Sequence, residues 1–215
     1  MWYRVPDQGC HQVDFSGQVK KVFVGEELYQ AKTIVIATGS SARWLKVPGE
    51  QEFQSKGVSA CATCDGAFFR DKEVAVIGGG DTAMEEATFL TKFASKVIVI
   101  HRRDQLRASK IMQQRAFDNP KIDFIWETVV EEYFGNNLLE GLKIKKVKSE
   151  EISELKVQGA FVAIGHIPAT TIFADQIEMD KAGYIIKKDH SMTSAEGVFV
   201  AGDVHDHRYM QAVTA

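Results

Sequence analysis

The sequence predicts an α/β fold built on a parallel sheet with a Rossmann-like nucleotide site, on three observations. From Val74 onward, apolar strand-like runs alternate with helical ones, the signature of βαβ units. The first such run, Val74-Ala75-Val76-Ile77, feeds straight into Gly78-Gly79-Gly80-Asp81-Thr82-Ala83. Just ahead of it stands Cys61-Ala62-Thr63-Cys64-Asp65-Gly66. A redox-capable dithiol beside a dinucleotide-binding turn points to electrons passing between a nicotinamide and a disulfide. Either motif alone would be weak.

Taken in order, Gln12 to Phe15 and Val19 to Val24 flank Ser16-Gly17-Gln18 and read as a β-hairpin. Thr33 to Ala37 is a continuous apolar run closed by Thr38-Gly39, the look of a strand buried on both faces that ends at a ligand-facing turn. Trp44 to Gly49 carries a Pro48-Gly49 break, expected at a domain boundary. The alternation then runs strand Val74–Ile77, helix Asp81–Phe93, strand Val97–Ile100, helix Ser109–Phe117, strand Ile122–Ile125. Leu142–Val147 and Glu154–Val157 read as an antiparallel insertion. Gly159–Ile164 and Gly197–Ala201 read as two further buried strands.

At 215 residues the chain is long enough for one large domain or two small ones. Its 45% hydrophobic and 26% charged residues are ordinary for a globular protein. A net charge of −3 gives no electrostatic case for a nucleic-acid or membrane partner. No apolar run approaches membrane-spanning length, and Met1 to Asp7 lacks the apolar stretch of a signal peptide. Three cysteines do not make a disulfide scaffold, so the expected compartment is the cytoplasm.

Gly78-x-Gly80-x-x-Ala83 fits the dinucleotide fingerprint in the right setting, with a strand before and a helix after. Gly78 permits the turn, Gly80 lets backbone approach a pyrophosphate, and Ala83 allows close helix–strand packing. The N–H groups opening the helix would hold the phosphates. An NAD site usually carries an acid about twenty residues on. Here the second strand ends in His101-Arg102-Arg103, with Arg107 four positions further. Guanidinium groups bind a 2′-phosphate that a carboxylate would repel, which favours NADPH over a merely solvated basic stretch.

The C-x-x-C pair could be half a zinc site, a redox pair or coincidence. Zinc needs more ligands, and the third cysteine is the isolated Cys10, although six histidines are present. Asp65 is a candidate proton donor to a leaving thiolate, or a turn aspartate before Gly66. His205-Asp206-His207 beside Asp203 raises a metal site, which we do not expect. Because disulfides accept hydride poorly, the redox reading calls for a flavin between nicotinamide and dithiol.

Several motifs together resemble the low-molecular-weight thioredoxin reductases. They are Cys61-Ala62-Thr63-Cys64-Asp65-Gly66, Gly78 to Ala87, His101-Arg102-Arg103, Ala163-Ile164-Gly165-His166-Ile167-Pro168 and Ala201-Gly202-Asp203-Val204, in the family's order. The likeness runs from about Val13 to the end of the chain. It implies an NADPH domain, residues 43–168, inserted between two partial segments of an FAD domain, 1–42 and 169–215. The implied NADPH ligands are Gly78, Gly80, Asp81, Thr82, Ala83, His101, Arg102, Arg103, Arg107, Ile164 and Gly165. By the same resemblance Thr38, Gly39, Gly202 and Asp203 would lie against FAD, with Gln211 and Ala212 near the flavin ring. Cys64 would be the sulfur nearer the flavin, Cys61 the one that exchanges with thioredoxin, and Asp65 the acid. A thioredoxin-like protein disulfide is the implied partner, and a homodimer is left open.

The chain also departs from the family pattern. The N-terminal FAD fingerprint, a further G-x-G-x-x-G, is not found, and Ala215 comes before the final glycine-rich helix is complete. Met210 stands where arginine is usual and Ala169 where asparagine is usual. The expectation is therefore a reductase truncated at the N-terminus and at the C-terminus, with an intact nucleotide module and a damaged flavin site. Three readings remain: an FAD-assisted disulfide reductase, a flavin-free NADPH-binding module with little or no turnover, and a fragment of a peroxidase-system reductase. Flavin content separates the first two.

Overall fold

The computed structural model describes residues 9–206. The chain divides into two compact units, one formed by Met1–Ser41 with His166–Ala215 and the other by Ala42–Gly165.

In the first unit, β1 (Cys10–Asp14), β2 (Lys20–Val24) and β3 (Glu27–Ala31) form an antiparallel sheet. The expected hairpin is present, and its loop is closed by the buried Lys20, whose Nζ donates to the carbonyls of Phe15 and Gly17 at 3.0 and 2.7 Å. β3 was not anticipated: only Tyr29 along it is even half-buried, so it shows no apolar alternation. β4 (Ile34–Ile36) is followed by β5 (Ser40–Ala42). Val35 on β4 is 64% exposed, which corrects the expectation of a strand buried on both faces.

The second unit opens with Trp44, Leu45 and Val47 packed against its core, so the Pro48-Gly49 turn lies inside this unit. β6 (Val58–Ser59) leads into the single-turn helix α1 (Ala62–Asp65). There follow β7 (Glu73–Ile77), α2 (Asp81–Leu90), β8 (Lys96–Ile100), α3 (Lys110–Phe117) and β9 (Ile122–Ile125). An antiparallel sheet of β10 (Thr128–Gly135), β11 (Leu139–Lys146) and β12 (Ile152–Lys156) comes next, then β13 (Gly159–Val162). The central sheet is parallel throughout, in the order β6-β13-β7-β8-β9.

Period-two alternation divides the central strands between two cores. Val74, Val76, Val97 and Val99 face the helices, packing with Met84, Leu90 and Ala116. Ala75, Ile77, Ile98 and Ile100 face the other way, packing with Val130, Tyr133, Leu142 and Ile144 of the antiparallel sheet. Each fully buried aliphatic side chain contributes roughly 1.5–3 kcal/mol. The result is helices on one face of a parallel sheet and an antiparallel sheet on the other. Chain order moves outward from β7 through β8 to β9, while β13 and β6 lie on its other side. The carboxyl end of β7 is thus the topological switch point where α/β sheets bind ligands.

The chain returns to the first unit through β14 (His166–Pro168), paired with β5, and ends its described strands with β15 (Val198–Val200), parallel to β4. Val13, Phe15, Ile36, Phe173, Ile177, Val198 and Val200 share the core there. Gln176 ties in the hairpin, accepting from Phe15 N at 2.8 Å and donating to the Val13 carbonyl at 2.7 Å.

Candidate functional site

Two candidate sites occupy the second unit. At the end of β7 the three glycines have different reasons to be glycine. A Cβ on Gly78 would lie 2.3 Å from the Ala163 carbonyl oxygen and 2.8 Å from Ala83 Cβ, so the turn is pressed against the end of β13 and the start of α2. On Gly79 it would lie 2.3 Å from the His101 ring. On Gly80 it would meet nothing within 4 Å. No protein atom demands glycine there, which is the expectation for a surface that a phosphate approaches.

The Gly79 carbonyl accepts from Arg107 N at 2.7 Å and Ala108 N at 3.1 Å, fastening the loop after β8 to the glycine turn. His101 is buried, and its Nε2 lies 3.0 Å from the Gln105 carbonyl. A carbonyl only accepts, so Nε2 carries the proton. Burial lowers the His101 pKa, and the charges of Arg107, Arg102 and Arg103 lower it further. The imidazole is therefore neutral at pH 7 and acts as packing beneath the turn.

A cavity of about 460 Å³ opens beside it. Of the anticipated residues it gathers Gly78, His101, Arg102, Arg107 and Ile164 in its lining. Gly80, Asp81, Thr82, Ala83, Arg103 and Gly165 lie outside that lining; Ala83 is fully buried, and Arg103 is exposed next to Arg102. Gly165, at φ +105°, accepts from Arg43 N at 2.9 Å. Arg43 itself lines the cavity, and no motif in the sequence singles it out.

The second site is the dithiol turn. Cys61 and Cys64 are joined by a disulfide. Cys61 stands at the N-cap of α1, its Sγ accepting from Cys64 N at 3.2 Å. A disulfide sulfur has no proton to give, so the Thr63 hydroxyl, 3.3 Å away, donates to Cys61 Sγ. Ser59, at the end of β6, links the dithiol turn to its neighbouring acid. Its Oγ accepts from Cys61 N at 3.1 Å and donates to Asp65 Oδ2 at 2.6 Å. Asp65 makes no side-chain cap to the helical turn that follows it, so its carboxylate is spent on this relay.

Beneath α1 lies Glu86 of α2. Its Oε1 accepts from Ala62 N at 3.4 Å, while the buried Oε2 has no hydrogen-bond partner among the described residues. Burial pushes its carboxyl pKa up to about 7, against the lowering effect of the Ala62 N–H and with a further push from Glu85. Ser59 and Glu86 were not anticipated as site residues. Serine two residues before a cysteine carries no signal, and Glu86 is marked only by lying in the motif Gly78 to Ala87.

In the first unit, Thr38-Gly39 follows β4 and Gly202-Asp203 follows β15, with Ala201 N donating to the Ile36 carbonyl at 3.0 Å. Both glycines adopt positive φ, +70° and +75°, and a Cβ on Gly39 would meet nothing within 4 Å. The anticipated pair therefore sits at the carboxyl ends of adjacent parallel strands, with open space over one of them. His166 has its pKa lowered by burial, with Asp203 opposing that shift. Gln211, Ala212, His207 and Met210 lie outside the described residues. Among the described residues no cluster of three or more His, Cys, Asp or Glu is placed to hold a metal, and no helix is long and apolar enough to cross a membrane.

The pyridine nucleotide-disulphide oxidoreductase family matches residues 6–215. The chain belongs to that family. Among curated relatives it is 52% identical to the thioredoxin reductase of Streptomyces coelicolor, over 94% of this chain and 64% of that protein. It is 53% identical to the thioredoxin reductase of Rickettsia bellii, over 99% of this chain and 70% of that protein. The solved thioredoxin reductase of Streptococcus pyogenes superposes with TM-score 0.85 at 46% identity, covering 96% of this chain and 68% of that one. The chain thus spans about two-thirds of the length of these relatives.

Proposed function

We propose that this chain acts in an NADPH-dependent disulfide reductase of the thioredoxin reductase type, passing electrons through Cys61 and Cys64 to a thioredoxin-like protein disulfide. The observation that carries this is the Cys61–Cys64 disulfide tied through Ser59 to Asp65, in the same compact unit as the glycine turn and its arginine loop. The N–H groups that open α2 beside Gly80 would receive a pyrophosphate, and Arg102, Arg103 and Arg107 a 2′-phosphate. Thr38, Gly39, Gly202 and Asp203 would hold FAD at the ends of β4 and β15, a reading supported by the open space over Gly39. Bound flavin would supply the hydride acceptor that a disulfide lacks.

Once reduced, Cys61 would pass its thiol proton to the Asp65 carboxylate and attack one sulfur of the partner disulfide, and the displaced partner thiolate would take that proton from Asp65. Cys64 would then attack the mixed disulfide, releasing the partner as a dithiol and restoring the Cys61–Cys64 bond. Cys64 is exposed, and Phe68, 74% exposed, shares a cavity lining with Ser59 and Asp65, which leaves an apolar contact for a partner. A cytoplasmic setting accompanies this reading, and a homodimer is the assembly to test first.

The test is NADPH-dependent thioredoxin reduction with FAD supplied, in the unmodified protein and in Cys64→Ser. The proposal expects turnover that falls to background in the variant while NADPH still binds. Equal turnover in both, or no turnover with both FAD and NADPH shown to be bound, would overturn it.

A further inference from the structure

Asp81 opens α2 at the point where a pyrophosphate would sit, and a free carboxylate there would repel it. The structure turns that carboxylate aside. Asp81 Oδ1 accepts two hydrogen bonds from Ser109, from the backbone N at 2.7 Å and from Oγ at 2.9 Å. Ser109 is the N-cap of α3, where a serine ordinarily accepts from its own helix, yet it makes no such capping bond. Its hydroxyl is given to Asp81 instead.

Ser109 also ends the loop that carries the three arginines. At its start, the Arg103 carbonyl accepts from Glu127 N at 3.2 Å. Its middle is held by Gly79, which takes Arg107 N and Ala108 N, and by the burial of Leu106 and Ala108. Asp81 holds its end. Arg102, Arg103 and Arg107 remain exposed, with their aim set by the backbone beneath them.

We propose that Asp81 is a positioning residue for the arginine loop, its carboxylate latching Ser109 so that preference for a 2′-phosphorylated nucleotide depends on it. This rests on the NADPH reading above. It reassigns Asp81 from a direct cofactor ligand to a residue acting through Ser109 on the arginines.

The test is calorimetric binding of NADPH, NADH and 2′,5′-ADP to the unmodified protein and to Asp81→Ala, Asp81→Asn and Ser109→Ala. Asp81→Ala should lower the NADPH-over-NADH preference about three- to tenfold, the size of one ordinary hydrogen bond, and weaken 2′,5′-ADP in parallel. Asp81→Asn keeps an Oδ1 acceptor without the charge and should retain most of the preference. Ser109→Ala removes the hydroxyl bond alone and should lose part of it. If Asp81 mattered only as a charge near phosphate, Asp81→Ala and Asp81→Asn would both bind NADPH more tightly, and the latch would be overturned. An undiminished preference in both Asp81→Ala and Ser109→Ala would also overturn it. An unmodified protein that binds NADPH and NADH equally would sink the nucleotide reading, and the latch with it.

Discussion

The unit Ala42–Gly165 and the unit formed by Met1–Ser41 with His166–Ala215 are built on different terms. The former covers both faces of a five-stranded parallel sheet, so β7 and β8 are buried almost along their whole length. Among its described residues the latter has one core, a three-stranded antiparallel sheet, the pair β5–β14 and the parallel pair β4–β15, in which Val35 remains 64% exposed. The glycine turn and the dithiol both belong to the doubly covered unit. Chemistry that needs atoms held to within a fraction of an ångström sits where the backbone is most heavily constrained.

Stability measurements offer the largest contrast. Leu142 on β11 is fully buried against the central sheet, and Leu142→Ala should cost about 2–5 kcal/mol by chemical denaturation. Val35→Ala should change stability by less than about 0.5 kcal/mol, as exposed positions do. Similar losses at both sites would remove the distinction drawn between the units.

Both units also differ in how legible they are. The βαβ alternation of the second unit could be read in the sequence because period-two burial on both faces yields continuous apolar runs at β7 and β8. β10 could not. Its register shifts between Val130 and Glu132, so its buried residues Val130 and Tyr133 fall three apart rather than two. Helix α2 stops at Leu90 rather than Phe93, with no glycine to mark the end. In the candidate site, Gly78, His101, Arg102 and Arg107 are legible in motifs, and the fold brings them to the lining of one cavity. Ser59 and Arg43 reach the candidate sites through the fold alone, and Asp81, expected at a nucleotide, accepts two hydrogen bonds from Ser109.

A second way to sharpen the comparison uses Glu86, an acid that the doubly covered unit holds with one oxygen unpaired. Its pKa is raised from 4.5 to about 7 by burial. The folded protein therefore keeps a proton that the unfolded chain has lost, so stability should fall as pH rises from about 4.5 to about 7 and then level off. A shift of that size corresponds to on the order of 3 kcal/mol. Glu86→Gln should flatten this slope in denaturation measured across that range. An unchanged slope would mean that Glu86 ionises normally in the fold.

The smallest effect should appear at the exposed arginines. Arg107→Ala removes a charge from the cavity rim without opening the core. It should reduce NADPH affinity by about 1.5–3 kcal/mol where the contact is well formed, roughly ten- to a hundredfold. The denaturation midpoint should barely move. A large stability loss would show that Arg107 serves packing rather than the nucleotide.

The central claim, that reducing equivalents from NADPH arrive at Cys61 and Cys64, is tested most directly by mapping thiols. Protein loaded with FAD is mixed anaerobically with NADPH, alkylated, and its cysteines assigned by mass spectrometry. The account predicts that Cys61 and Cys64 become alkylated together, with NADH at equal concentration far less effective and Cys10 alkylated equally with either nucleotide. A Cys61–Cys64 disulfide that survives intact while FAD and NADPH are both shown to be bound would contradict it.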